Sequence, residues 1–257
     1  VAAASKYGIT LSAQSFYKYP TIKLLVKYAI DKKEVSNLKE TYSSDTIPLK
    51  KESISKISGD ILLVGATGFL GSHILNDLLN NTNFKVYCLI RGKSEEHSKK
   101  RLKERLNYYF GNTLDNYFDN RIIVLQGDFS EKNLGLSDDN YSKLSNIIDT
   151  VINAAATVKH VGDYKYFEKI NVTSVKNLIE FCKKAQNIKL VHMSTLSIAG
   201  NTNNKEEVCK FTEENLYVNQ DFGDNVYIKT KFLAEKLLFD AIRDGLNVTI
   251  FRLGNIT

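Results

Sequence analysis

The 257-residue sequence has few cysteines, only two prolines and no long apolar segment. Its three cysteines, Cys88, Cys182 and Cys209, are widely spaced and odd in number, which argues against a disulfide framework and a cysteine-based metal site. No apolar run approaches the roughly 18 residues of a membrane span. The first residues also lack the basic region and apolar core of a signal peptide. We therefore expect a reduced, cytoplasmic protein that binds neither a metal nor a membrane.

Lysine and arginine outnumber aspartate and glutamate by 35 to 29, so the net charge is +6. The basic residues are scattered among acidic ones, as in KSEEHSKKRLKERL, whereas a nucleic-acid surface concentrates them in a patch. We therefore expect no nucleic-acid partner. The same positive potential suits a phosphorylated small molecule.

The pattern of the chain changes twice, which divides it into three parts. Residues 1–32 hold a turn at Pro20 and then an amphipathic helical pattern. Residues 33–58 are polar, rich in serine and lysine, and contain Pro48, as is typical of a linker. Residues 59–257 alternate strand-like and helical patterns, which predicts an α/β fold with a Rossmann-type, doubly wound parallel sheet.

The boundaries of these elements follow from the apolar pattern. The apolar runs suited to buried strands are Ile61–Val64, Lys85–Ile90, Arg121–Leu125, Thr150–Asn153, Lys189–Met193 and Val248–Phe251. The helical stretches predicted between them include Leu70–Leu79, Ser94–Tyr109, Tyr166–Lys183 and Val226–Ile242.

The first of these strands runs directly into a glycine-rich turn that opens a helix, Gly65-Ala66-Thr67-Gly68-Phe69-Leu70-Gly71. Glycines let the backbone approach a pyrophosphate, which binds to the exposed N–H groups at the start of a helix. A second strand about 20 residues further on strengthens the pattern, which predicts a dinucleotide site. The alternative is a tight turn with no ligand.

The end of the second strand bears on the choice of cofactor. Sites for NAD usually place Asp or Glu there for the ribose hydroxyls. Here the strand ends in Arg91, with Lys93 close by and Arg101 on the following helix. Because a guanidinium can bind a 2′-phosphate through two hydrogen bonds, we expect NADPH rather than NADH. The alternative is that these are solvated surface charges.

Two further strand ends fit the same cleft. Gly127, Asp128 and Phe129 follow the third strand, where an aspartate could reach the adenine amino group. The fourth strand ends in Asn153-Ala154-Ala155-Ala156, whose small side chains leave room for a cofactor. On composition alone, either stretch could be an ordinary loop.

A hydroxyl, a tyrosine and a lysine follow in the last third of the chain. The fifth strand ends in Ser194, Thr195 and Ser197, and the next helix carries Tyr227 and Lys231, which lie one turn apart on one face. A nearby ammonium and an oxidised nicotinamide would move the tyrosine pKa down from ~10 toward neutrality. The three side chains therefore predict a reductase-type site, whereas the spacing alone could arise by chance.

Several motifs resemble those of the extended short-chain dehydrogenase/reductases: GATGFLG, the strand-end Thr195 and YIKTK. From about Asp60 onward the chain more narrowly resembles the thioester reductase domains that end nonribosomal peptide synthetases and carboxylic acid reductases. The motifs that carry this resemblance are VYCLIRGKSEEHSKKRL, GDFSEKNLGLSDDNY, INAAATVKHV, MSTLSIAG and FRLGNI. Residues 7–32 resemble the last two helices of a peptidyl carrier domain, so residues 1–32 are identified as its C-terminal remnant.

The resemblance implies NADPH-dependent reduction of a carrier-bound peptidyl or acyl thioester to an aldehyde, which some family members reduce further to an alcohol. Thr195 and Tyr227 would bind the developing oxyanion, Tyr227 would supply the proton, and Lys231 would bind the nicotinamide ribose. The cofactor contacts implied are Gly65, Thr67, Gly68, Phe69, Leu70, Gly71, Arg91, Arg101, Asp128, Phe129, Asn153, Ala154, Ala155, Tyr227, Lys231, Gly254 and Asn255.

The resemblance also implies parts that lie outside this chain. The carrier serine that bears phosphopantetheine would precede Val1, and a substrate-binding portion would follow Thr257. We therefore expect a monomeric piece of a synthetase that is incomplete for catalysis and works beside a carrier domain and adjoining modules. Leu253 stands where related sequences commonly have proline. His160, near the expected substrate entrance, is expected to be a surface or orienting residue rather than a catalyst.

Two other functions remain open at the level of sequence. One is a fatty acyl-CoA reductase or a sugar-nucleotide epimerase on the same scaffold. The carrier-like segment argues against both, and Arg91 argues against an epimerase that retains NAD. The other is a non-catalytic dinucleotide-binding module. The combination of Thr195, Tyr227 and Lys231 argues against it, because a module that only binds needs no proton donor.

Overall fold

The computed structural model describes residues 47, 57–158, 162–185, 188–202, 210–223 and 225–256. The predicted carrier-like segment, nearly all of the predicted linker, His160 and Cys209 lie outside these residues. The chain divides into two compact units. The larger comprises Leu49–Ile198 and Asn225–Thr257, and the smaller comprises Val1–Pro48 and Ala199–Asp224.

The larger unit is built on a six-stranded parallel sheet. In chain order its strands are β1 (Ile61–Val64), β2 (Val86–Ile90), β3 (Ile122–Gln126), β4 (Thr150–Asn153), β5 (Lys189–Thr195) and β8 (Val248–Leu253). Their spatial order is β3-β2-β1-β4-β5-β8, and every neighbouring pair runs parallel. This is the doubly wound order in which ligands bind at the carboxyl edge, where the strand order reverses. The predicted fold class is confirmed, and every predicted strand is present within two residues at each end.

Helices cover the sheet, as a parallel sheet requires. They are α1 (Phe69–Asn81), α2 (Glu95–Phe110), α3 (Asp138–Ile147), α4 (Tyr164–Glu168), α5 (Ser174–Lys184) and α6 (Val226–Arg243). Short 3₁₀ turns occur at Asp115–Tyr117, Lys132–Gly135 and Leu196–Ala199. Among the described residues, every helix is too short or too polar to cross a membrane. The same residues contain no cluster of His, Cys, Asp or Glu suited to a metal ion.

Alternate side chains of β1 belong to two different apolar cores, one on each face of the sheet. Ile61 and Leu63 belong to the core that also contains Leu75 of α1 and Leu102 of α2. Leu62 and Val64 point to the opposite face and join a core built largely from α3, α5 and α6. Because successive side chains of a strand alternate between faces, one fully buried strand contributes to both layers.

Helix α3 was not among the predicted helices. Its start signals are present, because the Ser137 side chain accepts a hydrogen bond from the Asn140 N–H, and Asp138 and Asp139 occupy the first turn. The helix has only ten residues, and only Tyr141 and Leu144 supply large buried apolar side chains. The apolar pattern is therefore short, and the capping residues carry most of the signal.

The single helix predicted over Tyr166–Lys183 is interrupted. Helix α4 passes into a π-helical turn, Lys169–Thr173, before α5 begins at Ser174. This turn contains the buried Asn171, whose Oδ1 accepts from the Thr157 N–H at 2.9 Å. Its Nδ2 donates to the hydroxyl of Thr230 on α6 at 3.0 Å. Asn171 therefore ties the loop after β4 to the helix that carries Tyr227 and Lys231.

The described part of the smaller unit contains an antiparallel pair that the sequence did not predict, β6 (Asn201–Thr202) and β7 (Gln220–Asp221). Gly200 precedes it with a φ of +61°, and a Cβ there would lie 2.7 Å from the carbonyl oxygen of Asp221. Two-residue strands give too short an alternation to be recognised from sequence.

Candidate active site

The glycine turn connects β1 to α1 at the carboxyl edge of the sheet. Gly65 has a φ of +94°, and a Cβ there would lie 2.6 Å from the Ala155 backbone nitrogen. A Cβ on Gly71 would lie 2.1 Å from the Gly65 carbonyl oxygen. These two glycines are therefore needed for the backbone packing of the turn itself. A Cβ on Gly68 would meet only the Gly65 carbonyl oxygen, in a tight contact of 3.3 Å, so this position is less crowded than the other two.

The start of α1 is open to an anion. Gly68 is the N-cap residue, no side chain caps the helix, and its first turn contains no acidic residue. The first N–H groups of a helix have no partner within the helix and carry the positive end of its dipole. The uncapped amides at Phe69, Leu70 and Gly71 fit a diphosphate group. The residues present therefore fit a dinucleotide cofactor.

A cavity of about 350 Å³ lies beside this turn and is lined by Thr67, Arg101, Glu104, Arg105 and Tyr108. Arg101 also donates a hydrogen bond to the carbonyl oxygen of Arg91, so the two predicted arginines are neighbours. The side chain of Arg91 is exposed. The positive charge expected from the sequence therefore collects at one edge of the turn.

Arg105 was not predicted as part of this cavity. Its guanidinium carbon lies 5.9 Å from the ring centre of Tyr108 and 5.8 Å from that of Tyr109. The signal was available, because residues 101 and 105 are four apart and share a helix face. The alternating charges of this stretch concealed it.

The residues after β3 are fixed by hydrogen bonds and by a buried side chain. The Asp128 Oδ1 accepts hydrogen bonds from the Ser130 N–H at 2.9 Å and from its hydroxyl at 2.7 Å. The Phe129 side chain is buried in the core, and its carbonyl accepts from Asn177 at 3.0 Å. A cofactor contact by Phe129 would therefore have to come from its backbone, whereas Asp128 presents a fixed carboxylate.

The loop after β4 lies against the glycine turn. The Ala154 N–H donates to the Val64 carbonyl at 2.9 Å, which continues the strand pairing beyond Asn153. Asn153 is buried, and its Oδ1 accepts from the Ala155 N–H at 3.1 Å. Asn153 therefore stabilises the loop with its side chain, and the alanines line the edge of the turn.

Thr195 and Tyr227 are brought together. Thr195 is the last residue of β5, Tyr227 lies in the first turn of α6, and their side chains are hydrogen-bonded. The Thr195 Oγ1 also accepts from the Ser197 N–H at 3.2 Å. Burial raises the pKa of Tyr227, and the hydrogen bond with Thr195 only partly offsets that rise. The lowering expected from the sequence is absent from the protein alone, so the phenol is held in its protonated form.

Lys231 is buried and directed at β5. Its Nζ donates to the Met193 carbonyl oxygen at 2.6 Å and lies 3.1 Å from Nε2 of His192. Burial lowers the pKa of Lys231 to about 8, although the nearby Glu235 acts in the opposite direction. His192 is also buried, and burial together with Lys231 lowers its pKa well below the usual range. His192 was missed because nothing in its local sequence marks it.

A buried ion pair lies one turn further along α6 than Lys231. The Glu235 carboxylate, which is fully buried, accepts from Arg252 Nη2 at 2.8 Å and from its Nε at 3.0 Å, and also from the Ser194 hydroxyl. Ser194 and Arg252 are register partners on β5 and β8. The pair therefore joins α6 to both strands. Gly254 and Asn255 follow β8 and are exposed.

An NAD-binding family described as male sterility protein matches residues 63–257. This chain belongs to that family. A linear gramicidin synthase protein from Brevibacillus parabrevis is 32% identical over 196 residues, which are 76% of this chain and 4% of that protein. The predicted relation to synthetase reductase domains is confirmed by these matches and by the solved structures below.

Two solved structures share the fold. The thiolation-reductase di-domain of an archaeal nonribosomal peptide synthetase is 38% identical, with a TM-score of 0.68 over 77% of this chain and 52% of that chain. A UDP-glucuronic acid 4-epimerase from Bacillus cereus, solved with NAD, is 22% identical, with a TM-score of 0.54 over 76% of this chain and 56% of that chain. The second likeness shows the fold alone. In both cases this chain spans about half the length of the solved relative.

Proposed function

We propose that this chain is the cofactor-binding portion of a terminal thioester reductase, which releases a carrier-bound peptidyl or acyl chain as an aldehyde and uses NADPH. The observation that carries the proposal is the hydrogen-bonded pair Thr195–Tyr227, with Lys231 one turn further along α6, at the edge of the sheet that holds the open glycine turn. The 38% identity to an archaeal synthetase reductase supports the same interpretation.

The first proposed step is binding of the cofactor. The uncapped amides at the start of α1 would bind the diphosphate, and Arg91 with Arg101 would bind a 2′-phosphate through charge-assisted hydrogen bonds. Arg105 lines the same cavity and would add to this charge. Asp128 would accept from the adenine amino group. When bound, the nicotinamide supplies hydride to the thioester carbonyl carbon.

The chemical step requires an acid and a place for negative charge. Thr195 and Tyr227 would both hydrogen-bond the carbonyl oxygen as it gains charge, where fixed donors lower the barrier most. Tyr227 would then transfer its phenolic proton to that oxygen. Burial raises the pKa of Tyr227, so the phenol carries its proton when the reaction begins. The tetrahedral product would expel the thiol of the carrier arm and leave the aldehyde.

The remaining parts of the proposal concern the whole synthetase. Residues 1–32 would be the end of a carrier domain, residues 33–58 a linker, and residues 59–257 the reductase portion. The carrier would deliver its thioester on a phosphopantetheine arm that lies outside this chain. A thiolation domain precedes the reductase in the archaeal di-domain structure, which supports this order.

The test uses the full-length protein, NADPH and a thioester loaded on the carrier or on pantetheine. We expect NADPH oxidation that depends on the thioester, with one aldehyde formed for each NADPH consumed. Oxidation of NADPH without thioester cleavage, or thioester cleavage without NADPH, would contradict the proposal. A sugar nucleotide and a fatty acyl-CoA serve as the control substrates, and neither should support comparable turnover.

A further inference from the structure

The buried His192 lies between two groups that the proposed reaction uses. Asn153 and His192 are register partners on β4 and β5, and the Asn153 Nδ2 lies 3.1 Å from the His192 Nδ1. On its other side, the His192 Nε2 lies 3.1 Å from the Lys231 Nζ. Asn153, His192 and Lys231 therefore form a continuous buried chain of hydrogen bonds.

The donor and the acceptor of each of these hydrogen bonds can be assigned by starting from the Asn153 side chain, whose orientation is fixed. The Ala155 N–H can only donate, so the atom of Asn153 that faces it at 3.1 Å must be the carbonyl oxygen. The amide nitrogen of Asn153 therefore faces His192 and donates to Nδ1. A neutral imidazole carries one proton, and an accepting Nδ1 leaves that proton on Nε2. The Nε2–H then points at Nζ of Lys231.

Lys231 must accept this hydrogen bond, which only an uncharged amine can do, because an ammonium has no lone pair. The Nζ can still donate one of its own protons to the Met193 carbonyl, 2.6 Å away. We propose that His192, oriented by Asn153, is a positioning residue that favours the uncharged form of Lys231 before the cofactor binds. The hydrogen bonds themselves do not depend on the proposed function. Only the consequence for catalysis by Tyr227 rests on it.

The groups around the Lys231 Nζ shift its pKa in both directions. His192 faces it from β5, Glu235 lies one turn further along α6, and Arg252 on β8 is paired with Glu235. Tyr227 lies one turn earlier on α6, and the neutral Asn171 of the π-helical turn donates to Thr230 of this helix. The nearby Glu235 raises the pKa of Lys231 and so favours the ammonium, whereas burial lowers that pKa.

The consequence concerns Tyr227. At pH values above about 8, where Lys231 is uncharged, it cannot stabilise a phenolate, and Tyr227 keeps its proton. This is the form that a reduction needs at its start. The sign follows from the direction of the Lys231 pKa: the amine is uncharged at pH values above about 8, and it gains a proton as the pH falls through that value.

The experiment follows the lysine directly, without cofactor or thioester. The chain is labelled with ¹³C at lysine Cε, the Lys231 signal is identified by its loss in Lys231→Arg, and its chemical shift is titrated. We expect a midpoint near 8 or below in the unaltered chain. His192→Gln offers Nζ a carbonyl oxygen in place of an N–H, so the midpoint should rise by about one pH unit or more. His97→Gln, at an exposed histidine, should leave it unchanged.

A second variant tests the tautomer of His192 without removing its imidazole ring. Asn153→Ala keeps His192 in place but removes the donor to Nδ1, so the imidazole can move its proton to Nδ1 and accept from an ammonium. The midpoint should rise in this variant also. If both variants titrate with the midpoint of the unaltered chain, burial alone sets the charge of Lys231 and the inference is wrong. Because no turnover is measured, failure of the proposed reaction would not affect this result.

Discussion

At the scale of single residues, the site depends on where two hydroxyl groups, one amine and a few guanidinium groups are placed. Tyr227 and Thr195 share a hydrogen bond, and Lys231 is buried one turn further along the helix. Arg91 and Arg101 are neighbours at the opposite end of the expected cofactor position. Each of these side chains comes from the carboxyl end of a strand or from the helix that follows it.

The choice of cofactor is the first prediction at this scale. NADPH should bind this chain more tightly than NADH, and Arg91→Ala should narrow the difference by more than about tenfold, or roughly 1.4 kcal/mol. The reason is that a 2′-phosphate forms charge-assisted hydrogen bonds with a guanidinium, whereas a ribose hydroxyl gains little from it. Calorimetric titration with both cofactors measures this directly. Arg243→Ala, at the far end of α6, is the matched control. Equal affinities in the unaltered chain would contradict the assignment.

At the scale of elements, the β1–α1 turn and the attachment of α6 to the sheet carry the site. The glycines of the turn differ in their contacts. A Cβ on Gly65 or Gly71 would overlap backbone atoms, whereas a Cβ on Gly68 would meet only the Gly65 carbonyl oxygen, at 3.3 Å. Helix α6 is fixed to β5 and β8 through Glu235, Ser194 and Arg252. Under the proposed function, the turn would position the cofactor and α6 would position Tyr227 and Lys231.

Gly68 and Gly71 should therefore respond differently to substitution. Gly68→Val should leave the fold intact but abolish NADPH binding, because the new side chain would fill the space that a diphosphate needs. Gly71→Ala should instead destabilise the domain, since its Cβ would lie 2.1 Å from the Gly65 carbonyl oxygen. Circular dichroism and calorimetry separate the two effects. Normal NADPH binding by a folded Gly68→Val protein would show that the turn serves another purpose.

The buried ion pair gives the second prediction at this scale. Arg252→Met should lower the free energy of unfolding by roughly 3–5 kcal/mol, because it leaves the fully buried Glu235 carboxylate without its cation. Lys183→Met removes one partner of the exposed pair Lys183–Asp244 and should cost less than about 1 kcal/mol. Urea unfolding compares them. Similar small losses in both variants would mean that Glu235 finds other partners.

The elements show which features a sequence pattern can predict. The central strands β1, β2, β4 and β5 are predictable because they are almost fully buried and therefore read as apolar runs. The glycine turn was recognised because its strand and helix lie beside it in sequence. Helix α3 and the β6–β7 pair were missed because their apolar patterns are short. The contact of His192 with Asn153 depends on the register of β4 and β5, which no local pattern encodes.

At the scale of the whole molecule, the sheet order brings residues from distant parts of the chain to one edge. Thr67, Asn153, Thr195 and Tyr227 follow or flank different elements, yet the doubly wound order places the strand ends side by side. Membership of an NAD-binding family and likeness to synthetase reductases agree with this arrangement. The chain covers 52% of the archaeal di-domain, so the proposed reaction belongs to the full-length protein.

The central claim is that Tyr227 supplies the proton for thioester reduction, and one measurement tests it most directly. NADPH-dependent reduction of a carrier-bound thioester by the full-length protein is compared with that of its Tyr227→Phe variant, with NADPH affinity measured on both. We predict unchanged NADPH affinity and a fall in kcat of about 10²–10⁴-fold, the usual contribution of a positioned proton donor. Reduction by Tyr227→Phe at the unaltered rate would contradict the catalytic role of the Thr195–Tyr227 pair.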